Sequence, residues 1–146
     1  MTPQASKFNQ QGWATLENNV RGEICSDTLY VVTGALFKGN NHASIKSYTY
    51  DANGSKCPIP SHYYKVLLRT KSGNTGKAIK EITKASDIKA VAILLEHTSS
   101  ITSIPNNAFI SIKELEEFSG ITFFPILNDA IEADVKKQCS RRAWDL

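Results

Sequence analysis

No apolar run in the 146 residues approaches the roughly 18 needed to cross a membrane as a helix. The opening, MTPQASKFNQ, lacks the basic end and the apolar stretch of a secretory leader. Nothing in these residues directs export, and a segment upstream of Met1 is left free to do so. Cysteine is scarce: Cys25, Cys57 and Cys139 stand too far apart for a short zinc-ligand spacing. Their odd number allows at most one internal disulfide, and the leftover thiol would also suit a fourth cysteine beyond this sequence. His42, His62 and His97 have no partners at metal-ligand spacing, and no nucleophile-elbow pattern accompanies them. Each reads as a structural or surface histidine. Charge of one sign is not in marked excess either. A net charge of +3 suits a polyanionic partner only where it clusters, and the one cluster, KKQCSRR (136–142), reads as a solvated tail.

What is present is the composition of an ordinary globular protein, 41% apolar and 21% charged, with length for one domain and a sizeable core. TLYVVTGALF (28–37) is dense in β-branched and aromatic residues and predicts a buried strand with a turn near Gly39-Asn40-Asn41. Asp51-Ala52-Asn53-Gly54 predicts a hairpin tip after SIKSYTY. HYYKVLLRT (62–70) predicts a strong strand. KAIKEIT is of either type, and KAVAILLEH is a buried strand with some helical character. In ISIKELEEFSG, Ser111 and Glu114 make a capping box and Gly120 ends the helix. ITFFPIL then predicts a buried strand or extended segment, and the last fifteen residues a peripheral tail. The class is α+β, mostly strands with two helices.

The glycine-rich GNTGK (73–77) has two residues between its glycines where a phosphate-binding loop needs four, and Ala78 follows the lysine. It predicts a flexible hairpin loop. The helix FNQQGWATLENNVR (8–21) holds more chemistry. Trp13, Leu16 and Val20 form an apolar stripe, Asn9 projects onto its middle, and Glu17 and Arg21 lie one turn apart along its edge. In one reading Asn9 is an N-cap and Glu17–Arg21 an i,i+4 ion pair. In the other, an amide on the core side must be satisfied, since burying it unpaired costs roughly 1–3 kcal/mol. A hydrated divalent cation, completed by substrate phosphate, would satisfy it.

TPQ-x3-FNQQGWATLE-x3-R resembles the metal-binding helix of the DNA/RNA non-specific endonuclease family, the ββα-metal (His-Me finger) nucleases. In order along the chain, LYVVTGALF resembles the family's central strand with its Thr-Gly-Pro-Leu-type turn. IPSHYYKVLL is similar to its Ile/Val-Pro-x-x-aromatic-aromatic-Lys-Val strand, and ISIKELEEFSGITFFPIL to its closing helix and following strand. The resemblance covers about nine-tenths of the chain. It implies a central antiparallel sheet with a metal-binding helix and a second short helix. It also implies that Asn9 holds a magnesium ion or another divalent cation, that Glu17 orders water around the metal, and that Arg21 faces the scissile phosphate. The implied partners are DNA and RNA, contacted through phosphate and sugar with weak sequence preference.

The family's general base is a histidine in an upstream Asp-Arg-Gly-His segment, and none of His42, His62 and His97 aligns with it. Residues 1–146 are therefore expected to be the C-terminal portion of a single non-specific endonuclease domain, inactive alone. The alternative is a non-catalytic nucleic-acid-binding remnant or interaction module. A homodimer is a further expectation, because a missing hairpin would leave a sheet edge or apolar surface open. The family points to a secreted or periplasmic setting for the full-length protein.

Overall fold

Two apolar runs, HYYKVLLRT and IKAVAILLE, supply the central strands, and the rest of the fold is arranged around their two faces. The computed structural model describes residue 4 and residues 8–37, 48–98 and 102–146. His42, the Gly39-Asn40-Asn41 turn and most of the Thr-Pro-Gln block lie outside the described residues. The strands are β1 (Tyr30–Leu36), β2 (Tyr48–Tyr50), β3 (Lys56–Pro58), β4 (His62–Thr70), β5 (Ile88–Glu96) and β6 (Phe109–Ile110). The helices are α1 (Ala14–Arg21), preceded by a π-helical segment Phe8–Trp13, α2 (Ile112–Ser119) and α3 (Asp129–Lys136).

Four strands form an antiparallel sheet in the order β1-β4-β5-β6, and β2 pairs separately with β3. The β4–β5 register runs from His62 opposite Glu96 to Thr70 opposite Ile88. Side chains alternate across a sheet, so β4 sends Tyr64, Val66 and Leu68 to one face and Tyr63, Lys65 and Leu67 to the other. Both faces are covered. The first packs with Ala90 and Ala92 of β5 against Ile112 and Leu115 of α2 and Ile131 and Val135 of α3. The second packs with Val91, Ile93 and Leu95 against Trp13, Leu16, Val20 and Trp144. Burial on both sides explains why these strands read as continuous apolar runs. At Gly34, opposite Tyr64, an added Cβ would run into the Tyr64 ring. Glycine there lets the tyrosine lie under β1 and meet Phe123 edge-on at 5.6 Å.

Several expectations hold. The hairpin turns at Asp51–Gly54, where Gly54 N donates to the Asp51 carbonyl at 3.0 Å and Asp51 N to the Ser55 carbonyl at 3.0 Å. Ser111 Oγ accepts from Glu114 N at 3.1 Å while Glu114 Oε2 accepts from Ser111 N at 2.8 Å, and Gly120 closes α2 at φ 73°.

Two open readings are resolved and one expectation is corrected. KAIKEIT contributes only the 3₁₀ turn Ile79–Glu81, which sends Ile79 and Ile82 into the core. ITFFPIL is not a strand: Phe124 adopts φ 51°, which bends the chain so that Phe123, Phe124 and Leu127 all turn inward. The tail is not peripheral. Asn128 Oδ1 accepts from Ala130 N at 2.9 Å and starts α3, a helix with only Ile131 and Val135 as a short apolar stripe. Lys136 is buried between Glu116 (2.9 Å) and Glu132 (2.7 Å). Gln138 accepts from Ala90 N and donates to the Ile88 carbonyl, satisfying the start of β5. Arg141 donates to the Ile104 carbonyl at 3.0 Å and lies over the Phe109 ring. Trp144 has no exposed surface.

Candidate functional site

The helix 8–21 changes pitch along its length, and this decides where its polar groups point. Trp13, Leu16 and Val20 are buried on β4 and β5 as the stripe predicts. Asn9, however, is exposed. An i→i+5 helix turns roughly 15° less per residue than an α-helix, so the lag from Trp13 back to Asn9 is roughly 60°. That rotates Asn9 off the middle of the apolar stripe toward the edge that carries Glu17. Burial therefore imposes no demand on this amide, correcting the expectation that it faces the core. Nor is Asn9 an N-cap, since the π-helical segment already includes Phe8.

Glu17 has a half-exposed side chain, and its partner is Lys65 Nζ at 3.8 Å rather than Arg21. Lys65 projects from β4 with its side chain only 5% exposed. Its ammonium donates to Thr33 Oγ1 at 2.8 Å and lies 5.1 Å from the centre of the Trp13 ring. Burial pushes its pKa below the ordinary lysine range, and the Glu17 charge opposes that shift. Arg21 is exposed and donates to Asn18 Oδ1 at 3.4 Å. The i,i+4 ion-pair reading of Glu17 and Arg21 is thus replaced: the carboxylate is held by the sheet, and the guanidinium faces solvent. The lysine was available to inspection as the one charge inside the apolar run YYKVLL, but nothing local to it names Glu17 as its partner.

The helix runs along β4 in the same direction. Trp13 meets Tyr63 (ring centres 6.0 Å apart), Glu17 meets Lys65, and the Glu23 carbonyl accepts from Arg69 Nη1 at 2.7 Å. Beyond the helix, buried Glu23 pairs with Lys89 at 2.5 Å and Arg69 at 3.5 Å, and Lys89 also donates to the Ala143 carbonyl. This fixes the far end of the helix, so Asn9, Glu17 and Arg21 are carried on an anchored rod.

Among the described residues no group of three or more His, Cys, Asp or Glu side chains is placed to enclose a metal ion. One exposed amide oxygen with a half-exposed carboxylate farther along the helix is a donor set for an ion that keeps most of its water, as magnesium does. It does not suit a dehydrated cage. The fit is with a hydrated magnesium-type cation.

Elsewhere, each histidine in the described residues has a ring nitrogen within hydrogen-bond distance of a neighbouring oxygen. His62 Nδ1 lies 2.8 Å from Ser61 Oγ and its ring meets Phe118 edge-on, on the sheet face away from the helix. His97 Nδ1 lies 3.0 Å from the Pro60 carbonyl. All three cysteines are free thiols. The GNTGK loop is tethered rather than loose: Asp27 accepts from Thr70 Oγ1, from Thr75 N (2.9 Å) and Oγ1 (2.7 Å), and from Gly76 N (2.9 Å). The hydroxyls of Thr70 and Thr75 hold the Asp27 carboxyl well below the usual carboxylate range. A carboxylate at its centre gives this loop the wrong sign for phosphate. No helix among the described residues is long and apolar enough to cross a membrane.

Comparison with known proteins places the chain in a family. Residues 1–130 match the model of the DNA/RNA non-specific endonuclease family. A nuclease of Syncephalastrum racemosum is 28% identical over 152 residues, covering 97% of this chain and 43% of that protein. Nuclease C1 of Cunninghamella echinulata var. echinulata is 29% identical over 140 residues, covering 92% of this chain and 50% of that protein. A chain from the crystal structure of the EndoG/EndoGI complex superposes with a TM-score of 0.61 at 25% identity, covering 88% of this chain and 49% of that one. The chain spans about half the length of the curated relatives it matches. With the family model matched over residues 1–130 and the fold shared with the endonuclease G chain, this chain belongs to the DNA/RNA non-specific endonuclease family.

Proposed function

We propose that these residues form the metal- and phosphate-handling part of an endonuclease that hydrolyses phosphodiester bonds in DNA and RNA. The observation that carries this reading is the outward edge of one anchored helix, where an amide oxygen (Asn9), a sheet-held carboxylate (Glu17) and an exposed guanidinium (Arg21) follow one another. Asn9 Oδ1 would hold the hydrated magnesium ion, which when bound supplies Lewis acidity and neutralises charge on the phosphoryl oxygens. Glu17, held in place by Lys65, would accept hydrogen bonds from water around that ion. Arg21 donates to the phosphate and stabilises the negative charge that builds up as the phosphorus becomes five-coordinate. Because these groups address phosphate rather than base edges, discrimination among sequences is weak.

The general base in this proposal is a histidine from outside these residues. His62 lies on the opposite face of the sheet, and His97 is turned to the Pro60 carbonyl. The chain alone is expected to leave supercoiled plasmid and RNA intact with magnesium present. A form that includes the Asp-Arg-Gly-His segment is expected to cut both and to stop on addition of EDTA. Metal-dependent cleavage by the short chain would sink the assignment of the base. Binding is tested apart from activity: manganese should broaden the side-chain amide resonance of Asn9, and Asn9→Ala should abolish metal-induced shifts at Glu17.

A second reading, a binder without catalysis, is favoured by the exposure of Arg21 together with the absence of a base among the described histidines. It predicts affinity for nucleic acid that falls steeply with salt and weakens in Arg21→Ala.

A further inference from the structure

The β2–β3 hairpin contributes to neither buried core, yet it carries two large, exposed aromatic side chains. Tyr48 is 44% and Tyr50 68% exposed, and the alternation of a strand puts both on one face. Lys56 stands opposite Tyr50 in the ladder, and its Nζ lies 3.8 Å from the centre of the Tyr48 ring. The turn is fixed before any ligand arrives, because Asp51 Oδ1 accepts from Asn53 N at 2.9 Å and Ser55 N at 2.8 Å. The hairpin joins the start of β4 through residues 59–61, where Pro60 is buried and Ser61 N donates to the Leu36 carbonyl at 2.8 Å. Helix and β4 run in the same direction, so this is the end of the sheet at which Asn9 stands.

We propose that Tyr48, Tyr50 and Lys56 form a stacking platform for unpaired bases of a nucleic-acid strand whose phosphates lie along the Asn9–Arg21 edge. The inference rests on the proposed function and adds a preference for strands that are single or locally opened. Aromatic faces accept any base; Lys56 Nζ covers one face of the Tyr48 ring, so a base would stack on the opposite face, with the ammonium at hand to offset phosphate charge. Residues two apart on a strand are separated by roughly 7 Å, about twice the 3.4 Å rise per nucleotide of a stacked duplex. The two rings therefore match an extended strand, while the bases of a duplex already have both faces covered. Self-association through this face is disfavoured, since a two-fold contact centred on the platform would bring Lys56 against its own copy.

The test uses the whole 146-residue chain and fluorescence anisotropy, with a labelled thymidine oligonucleotide, an abasic strand of equal length and charge, a uridine strand and a duplex. The chain should bind the thymidine and uridine strands about tenfold more tightly than the abasic strand. Tyr50→Ser and Tyr48→Ser should remove that difference, Tyr50→Phe should keep it, and Arg21→Ala should weaken all probes alike. Both tyrosines are exposed, so circular dichroism should be unchanged. Equal affinity for the thymidine and abasic strands would overturn the platform while leaving the phosphate-facing helix standing. Binding to no probe would overturn both. A dimer that dissociates in Tyr50→Ser, with base-dependent binding unaltered, would assign the face to self-association and overturn the platform as well.

Discussion

Lys65 does at residue scale what the helix cannot do for itself. A surface carboxylate such as Glu17 samples many rotamers, and an i,i+4 partner on its own helix holds it by only a few tenths of a kcal/mol. An ammonium fixed by burial and by Thr33 Oγ1 offers it one partner in one place. The lysine bears a desolvation cost, which is why its pKa is driven down. Replacing it with an isosteric apolar residue removes that cost, and such exchanges are neutral or stabilising by about 1–4 kcal/mol when the former partners can be rehydrated. Thr33 is exposed and Glu17 half-exposed, so both can be. Lys65→Met is therefore expected to hold or raise the urea midpoint while weakening manganese binding at Asn9 several-fold. A large fall in the midpoint with unchanged metal binding would make Lys65 a plain core residue.

At the scale of elements, short polar contacts decide the loops. The segment 73–76 folds onto Asp27, whose carboxylate accepts from two hydroxyls and two backbone amides. Its pKa is depressed relative to 3.8, the ordinary value. Between the depressed and the ordinary value the unfolded chain binds the proton and the folded one does not, so stability rises with pH across that window. The contribution is complete above 3.8, declines as pH falls below it, and is gone once pH passes the folded value. Urea midpoints for the parent and Asp27→Asn, measured from neutral pH down to about 2, should differ most above the window and converge toward its acid end. Parallel curves would mean that the carboxylate is not what holds the loop. The capping box of α2 was legible because both partners lie within one turn, Ser111 and Glu114. The Asp27 tether was not, because its partners lie 43 to 49 residues away.

At the scale of the whole molecule, the last residues close the sheet face that carries the helix 8–21. Trp144 is fully buried, with Lys89 Nζ 4.4 Å from the centre of its ring and the Lys89–Glu23 pair tying it to the end of that helix. Trp144→Ala is expected to cost about 3–5 kcal/mol in denaturant unfolding, as large aromatic truncations in cores do. A change of a few tenths would restore the reading of a loose tail. Sequence alone determined the central strands, the 51–54 hairpin tip, α2 and the family, because period, turn residues and caps are encoded within a few neighbouring positions. Tertiary structure alone decided that α3 and Trp144 belong to the core, that Glu17 answers to Lys65, and that Asn9 faces water. These depend on contacts such as Lys65–Thr33 and Lys89–Glu23, 32 and 66 residues apart, or on a change of helical pitch that no residue pattern marks. A side chain's local pattern says which face it prefers; only the folded chain supplies the group that face will meet.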